Sequence, residues 1–586
     1  MTKQDNEEED KETSIDGDGQ ELVAGDESAV EVVVCVEDAS MVPVGVMEKA
    51  PPVAVVETVE TSSTNERRHL VRSAALVSIG NLGSSLLGMV RQVVVTTSLG
   101  AKPAADFNAS ITPVNNFYQL LANGSTDGAL VPVFNDYSAP EKRQEMRRIV
   151  FTVVNLVLII SLVTALIYYF ISPWFISTLV SGLKPQDKEL TLRFSRIIIF
   201  SLVFLSPFAV LLAALFALKE FGWPAFATAA YHIGVIVGAI VASFSSSLIL
   251  ALPIGLLLGA AGQIVLLLPG IRNQRLYYMF VLDLKHPAIR RILKLYWPIA
   301  VSYVFSMALV FLDLNLQSNT PQHADGIIAM ATATTLIQFP VGIVAQALSV
   351  VVLPTLSEHA RAGNNERFKE ALLLGARLGL LLMVPAMVGL IVLRTPIVYL
   401  IFAHHNYLTG NADLSAQALQ YYAYQLPFLV IDQLLIAAFY ARKNTKTPVI
   451  IYMVSILFYL SIALPFYKTV GMVSLVLANT VQNSAHAVIL LILLRLAIGP
   501  LHILKNLLVF LKIGLAATLM GFAAWGVLLG LDHIALFSLD HFLGQILTLL
   551  VAGGAAVVVY FGCIFLFKVE EVHLIRTVIR TKLKRA

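Results

Sequence analysis

The chain has 586 residues, of which 57% are hydrophobic and only 13% charged. A water-soluble fold carries about 25% charged residues, so this composition excludes a soluble globular enzyme and gives no surface for nucleic acid. The net charge of +3 hides a division: residues 1 to 66 hold 18 of the 38 acidic residues against Lys3, Lys11 and Lys49, a charge of −15, while the rest carries 38 basic and 20 acidic residues, or +18.

The acidic segment 1–66 opens on Glu7-Glu8-Glu9-Asp10 and contains no apolar block of spanning length. It lacks the basic start and apolar centre of a signal peptide and is expected to be a disordered, solvated cytoplasmic tail. Its Val30 to Val34 stretch offers a partner a short pairing segment. Cys35 and Cys563 are too few and too far apart to suggest a disulfide framework or a cysteine metal site.

Beyond the tail, long apolar blocks such as Ile149 to Tyr169, Ile197 to Leu218 and Leu248 to Leu268 follow one another. A helix needs about 20 apolar residues to cross a hydrocarbon core, and only helices or closed barrels satisfy their backbone in lipid. The period-2 alternation of a barrel is absent. The expectation is an all-α polytopic membrane protein with about fourteen spans, near 70–98, 105–135, 149–175, 191–218, 223–243, 246–268, 289–316, 324–357, 368–396, 414–441, 447–467, 469–497, 504–530 and 542–568. The predicted organisation is an N-lobe at 67–270 (spans 1 to 6), a C-lobe at 271–500 (spans 7 to 12), and two extra spans with a basic tail at 501–586. Lys142, Arg143, Arg147 and Arg148 follow span 2; Arg272, Arg275, Lys285, Arg290 and Arg291 follow span 6; Arg442, Lys443 and Lys446 follow span 10. The positive-inside bias puts these loops and both termini in the cytoplasm.

Spans 1 and 2 are the least hydropathic because each has a polar face. Asn81, Ser84, Ser85, Gly88, Arg91 and Gln92 share one side of the first; Asn108, Thr112, Asn115, Asn116, Gln119 and Asn123 share one side of the second. Ser302, Ser306 and Asp313 align in span 7, and Thr335, Gln338, Gly342, Gln346 and Ser349 in span 8. Such faces are costly against lipid and should meet each other or water, which predicts a hydrophilic cavity between spans 1, 2, 7 and 8. Small-residue helix packing is the competing reading. Arg91 is the sharpest residue, since an intramembrane guanidinium suits a phosphate; a pair with Asp106 is its alternative. Asp313 is a second intramembrane charge, a candidate cation or proton site, and Asp432 in span 10 has no evident partner.

The chain also repeats itself. Val131-Pro132-Val133-Phe134-Asn135-Asp136 matches Leu353-Pro354-Thr355-Leu356-Ser357-Glu358 at an offset of 222, and Ala217-Leu218-Lys219-Glu220 matches Ala441-Arg442-Lys443-Asn444 at 224. Two halves in the same orientation, with a substrate site between them, are the architecture of many transporters. Walker loops, dinucleotide turns, His-Glu-x-x-His and Gly-x-Ser-x-Gly motifs are missing, so neither an enzyme nor a cofactor is expected. His404-His405 reads as a solvated outer loop.

Gly88-Met89-Val90-Arg91, Leu99-Gly100-Ala101-Lys102-Pro103-Ala104-Ala105-Asp106, Asn123-Gly124 and Val131-Pro132-Val133 resemble the MurJ (MviN) family. Leu353-Pro354-Thr355-Leu356-Ser357, Phe439-Tyr440-Ala441-Arg442 and Thr445-Lys446-Thr447-Pro448 resemble its second half. The likeness runs over about residues 70 to 500. It implies the multidrug/oligosaccharidyl-lipid/polysaccharide exporter fold. It also implies flipping of lipid II, a polyprenyl-pyrophosphate-linked peptidoglycan precursor, from the inner to the outer leaflet by alternating access. The implied partners are this lipid-linked anionic substrate, membrane lipid and, through the acidic tail, envelope-synthesis proteins.

The sequence departs from the family pattern at Ser85, Gln92, Tyr118, Gln119, Asn123 and Thr335, where charged residues are usual, so a pyrophosphate would meet one arginine rather than several. Asp313 matches an acidic position that some members use for sodium, with the span 11 partners replaced near Phe458 and Ile462. The expected substrate-binding set is Arg91, Asp106, Asn115, Asn116, Gln119, Asn123, Thr335 and Gln338. An exporter of another lipid-linked saccharide or amphiphile, and a non-transporting scaffold for envelope synthesis, remain the alternatives.

Overall fold

The computed structural model describes residues 80, 83–123, 129–501 and 503–568, leaving out the side chains of 122–123, 302, 345–351, 353, 503–506 and 535. The acidic segment 1–66 and the basic end at 569–586 lie outside the described residues. The described chain is helical. In order it forms α1 (83–99), α2 (Ala101–Tyr118), α3 (Val131–Asn135), α4 (Arg143–Leu179), α5 (Pro185–Ile198), α6 (Leu202–Ala217), α7 (Gly222–Ser243), α8 (Ala251–Asn273) and α9 (Pro287–Ser318). Then follow α10 (His323–Arg361), α11 (Asn365–Val392), α12 (Arg394–Phe402), α13 (Thr409–Ala423), α14 (Leu426–Ala441), α15 (Lys446–Phe466), α16 (Met472–Ile498), α17 (Ile503–Leu531) and α18 (Phe542–Leu566).

Among the described residues, eleven helices are long and apolar enough to cross a membrane, or twelve when α13 and α14 count as one span bent by 46°. These correspond to expected spans 3 to 14. The expected count of fourteen needs α1 and α2 as well. Residues 70–79 of the expected first span lie outside the described set, and α2 owes its low hydropathy to its polar face. Large apolar side chains cover the outside: Phe170 is 76% exposed and Leu566 is 78% exposed. Lipid, not water, is the medium that makes such a surface stable. The protein is therefore a multi-pass membrane protein.

Breaks between helices have local causes. Gly100 takes φ +82°, which a side chain tolerates poorly, and a Cβ there would come within 2.9 Å of the Asn406 carbonyl oxygen. That glycine lets α1 turn directly into α2. Pro185 and Pro287 occupy first-turn positions of α5 and α9, where the missing N–H costs nothing.

The ends of α6 and α14 are built alike. Lys219 and Lys443, 224 residues apart, both adopt positive φ (59° and 60°). Glu220 N donates to Leu215 O and Asn444 N donates to Phe439 O, each at 2.9 Å. This is the same left-handed helix cap, in which the bond back to the last turn satisfies an otherwise open carbonyl. The sequence repeat at that offset thus has a repeated backbone form.

Close helix approach uses small residues. Gly234 and Gly238 of α7 face Gly255 and Gly259 of α8, and a Cβ on Gly234 would sit 2.4 Å from the Gly255 carbonyl oxygen. Backbones this close gain dispersion contacts that lipid tails cannot supply. α17 and α18 pack on each other and on α11, where Tyr560 donates a 2.6 Å hydrogen bond to the Leu381 carbonyl.

Candidate functional site: a polar cavity within the membrane

A cavity of about 590 Å³ is lined by α1, α2, α9, α10, the α13–α14 bend and α16. Arg91 and Gln92 reach it from α1, and Asn108, Thr112, Asn115 and Asn116 from α2. Asp313 and Gln317 of α9, Thr334, Thr335 and Gln338 of α10, Tyr422, Gln425 and Asn479 complete the polar wall. Its size falls within the roughly 300–1,000 Å³ of small-ligand sites, enough for part of a polar headgroup but not for a polyprenyl chain.

The α2 wall follows from its local chemistry. Asn108 Nδ2 donates to Ala104 O and Asn116 Nδ2 donates to Thr112 O, each at 2.8 Å. Each amide thus satisfies its own helix one turn back and keeps its side-chain oxygen as an acceptor. Pro113 inside the helix has no N–H to give to the carbonyl one turn before it. Arg91 is half-buried, with its guanidinium carbon 6.0 Å from the Tyr231 ring centroid, a cation–π distance. Among the described residues it is the single cation in the cavity lining.

The opposite wall is held by bonds between helices. Tyr459 of α15 donates to Asp313 Oδ1, and Gln317 Nε2 donates to Asp313 Oδ2 at 2.8 Å. Asn483 of α16 donates to the Gln425 side-chain oxygen at 2.6 Å. The resemblance pointed to a loss of polar partners near Phe458 and Ile462; the residue that reaches Asp313 is Tyr459, next to Phe458. No group of three or more His, Cys, Asp or Glu residues able to hold a metal ion occurs among the described residues.

Of the residues expected to bind substrate, Arg91, Asn115, Asn116, Thr335 and Gln338 line the cavity, as does Asp313. Asp106 is placed elsewhere. It is 1% exposed and accepts a 3.2 Å hydrogen bond from Thr191 of α5. This carboxylate therefore belongs to the α2–α5 packing, and it is not the ion-pair partner of Arg91. Gln119 begins a π-helical turn at Gln119–Asn123, beyond the cavity lining, and the side chain of Asn123 lies outside the described residues.

Sequence reasoning missed Gln317, Thr334, Tyr422, Gln425 and Asn479. The last had a signal: Asn479, Thr480, Gln482 and Asn483 form a polar cluster inside the apolar span of α16.

The end of α1, where it meets α2, is tied to the α12–α13 loop. Asn406, in the α12–α13 loop, donates through its backbone N–H to Thr97 O (3.1 Å) and through its side chain to Ser98 O (2.6 Å). It thereby caps open carbonyls at the end of α1. Asn315 of α9 and Asn319, which caps its C-terminal end, donate to Ser181 Oγ at 3.0 and 2.8 Å. Neighbouring His404 bonds to its own helix at Leu400 O, 2.7 Å away.

The family model described as lipid II flippase MurJ matches residues 95–543. A probable lipid II flippase MurJ of Bdellovibrio bacteriovorus is 26% identical over 521 residues, covering 87% of this chain and 97% of that protein. One from Haemophilus influenzae is 27% identical over 512 residues, covering 84% and 99%. Among solved structures, the lipid II flippase MurJ in an inward closed conformation superposes with a TM-score of 0.69 at 24% identity, over 85% of this chain and all of that one. An inward-facing multidrug resistance MATE family transporter gives 0.60 at 15% identity, over 72% and 98%. The helical fold, its polar intramembrane cavity and the family match over most of the chain agree, and the chain belongs to the MurJ family.

Proposed function

We propose that this protein is a flippase that moves lipid II, a polyprenyl-pyrophosphate-linked peptidoglycan precursor, from the inner to the outer leaflet by alternating access. The observation that carries the reading is the cavity itself: one arginine and the hydrogen-bonded Asp313 among neutral amides and hydroxyls, lined by helices whose outer faces are apolar. Arg91 binds the pyrophosphate in a bidentate fork. Asn115, Asn116, Thr335 and Gln338 bind sugar and peptide groups, for which paired donors and acceptors are the matching chemistry. The polyprenyl tail stays in lipid, where each methylene is already at home.

In this reading the protein sits in the cytoplasmic membrane with both termini inside. Residues 67–270 and 271–500 form two lobes that rock about the cavity. The Asn406 and Ser181 contacts then hold the outer side shut, and their release opens it. Asp313 is a candidate sodium or proton site, and the acidic tail recruits envelope-synthesis proteins.

Cells depleted of their own lipid II flippase test the reading. The wild-type chain is expected to restore growth, and Arg91→Ala is not. A well-expressed wild type that fails to rescue refutes lipid II as cargo. Because a single arginine among the described residues faces the cavity, a second reading is export of an amphiphile without pyrophosphate; binding of a pyrophosphate-free analogue as tight as that of lipid II would favour it. Removing residues 1–66 distinguishes transporter from scaffold, since a transporter keeps rescuing without them.

A further inference from the structure

Asp432 and His486 stand outside the cavity lining and meet across two helices. His486 Nδ1 lies 2.6 Å from Asp432 Oδ1, and His486 Nε2 lies 3.1 Å from the Pro448 carbonyl oxygen. The two side chains are 15% and 5% exposed, respectively. A carbonyl only accepts, so Nε2 must carry a proton. At 2.6 Å, Nδ1 and the carboxylate oxygen also need a proton between them, because two bare lone pairs would repel. The pair is therefore electrically neutral with that proton and carries one negative charge without it, a state that low-dielectric surroundings penalise.

The groove beside the pair is aromatic and apolar. Tyr452 of α15 meets the imidazole edge-on at 5.8 Å between ring centroids. Tyr303 and Ser306 of α9 and Tyr440 of α14 share with His486 an apolar groove of about 230 Å³. The packed neighbours carry Arg377 on α11, which has an interaction of its own, Asp313 on α9, which is bonded to Tyr459, Arg442 at the end of α14, which donates to Asn365, and exposed Lys446, two residues before Pro448 at the start of α15.

We propose that Asp432 and His486 form a proton-binding site coupled to the cavity. The coupling rests on the transporter reading above; the proton site does not. Asp432 lies two turns along α14 from Gln425, and His486 lies one turn along α16 from Asn483. The same two helices are thus clasped twice, once by the proton and once by the Asn483–Gln425 bond at the cavity wall. Losing the proton sets the Nδ1 lone pair against the carboxylate and pushes α14 from α16. That movement acts beside the 46° bend between α13 and α14, where Gln425 sits. The only bond made or broken is that of the shared proton, taken from water and returned to it.

The test uses the full chain in lipid nanodiscs with ¹⁵N-labelled histidine, His486→Gln assigning the signal. The expected result is a ring that passes from doubly protonated to Nε2–H alone as pH rises, with a midpoint displaced from that of a free imidazole, which titrates between about pH 5 and 8. Asp432→Asn should abolish the displacement. A ring whose protonation ignores Asp432→Asn, or never changes, overturns the site.

For coupling, vesicles loaded with a pH-sensitive dye and supplied with fluorescent lipid II report transport under an imposed pH gradient. Asp432→Asn and His486→Gln, each checked for folding by thermal melting, should lose stimulation by the gradient, and stimulation that persists in both overturns the coupling. A wild type that moves no lipid II while His486 still titrates with Asp432 counts against the cargo and supports the proton site.

Discussion

The two walls of the cavity are polar in different ways. On the α2 side, Asn108, Thr112 and Asn116 bond back to their own helix within one turn. On the other side, Asp313 is tied to Tyr459 and Gln425 to Asn483, each pair joining different helices, with Asp432 and His486 one layer behind. A self-satisfied amide turns toward a ligand at small cost and leaves the helices where they are. A cross-helix pair cannot be changed without affecting how the helices pack. The α2 wall, with Thr334 and Thr335 of α10 that likewise bond back to their own helix, is suited to recognition, and the Asp313–Tyr459 and Gln425–Asn483 pairs to holding or changing shape.

Variants on the two walls should separate these roles. The largest effect is expected from Asp432→Leu, which leaves His486 without its buried partner. Breaking such a pair costs about 3–5 kcal/mol, whereas replacing both members by apolar residues is often near neutral. The thermal melt of Asp432→Leu should therefore fall sharply and that of Asp432→Leu/His486→Leu should recover most of the loss. A double variant as unstable as the single one would break the comparison.

Tyr459→Phe comes next. It removes one of the two donors to Asp313, and losing a partner to a buried polar group costs about 1–3 kcal/mol, read in the same melting assay. Gly100→Ala is of similar size. The φ of +82° with ψ 177° and the 2.9 Å approach to Asn406 oppose a side chain, and this backbone conformation, essentially restricted to glycine, costs another residue about 1–3 kcal/mol. Because that turn is held by Asn406, the variant should also raise thiol labelling of a cysteine placed at Asn108, a cavity position.

The smallest effect on stability is expected from Asn115→Ala with Asn116→Ala. Melting should shift little, while lipid II affinity falls by about 1 kcal/mol for each hydrogen bond lost. A large fall in melting temperature with unchanged affinity would reverse the roles of the two walls.

The sequence located the helices and the polar stripes because both are local properties. An apolar block of spanning length has one stable form in lipid, and residues three and four apart share a face wherever the helix ends up. Spacing therefore placed Arg91, Asn115 and Asn116, and Thr335 and Gln338, on polar faces of their helices, and the cost of such faces in lipid pointed them at one cavity. The offset of 224 residues was readable too, and it reappears as the matching caps at Lys219 and Lys443.

Partners were not readable, because they lie far apart along the chain and only packing brings them together. Asp106 is expected in the cavity from the family resemblance, yet it lies two positions off the Asn108 stripe and is buried against Thr191, 85 positions away. Asp313 finds Tyr459, 146 positions on, and Asp432 finds His486, 54 positions on. A carboxylate in an apolar helix announces that it needs a partner, since burial without one is costly. Which partner answers, and whether the pair lines a cavity or holds two helices together, is decided by the crossing of helices that the local pattern does not specify.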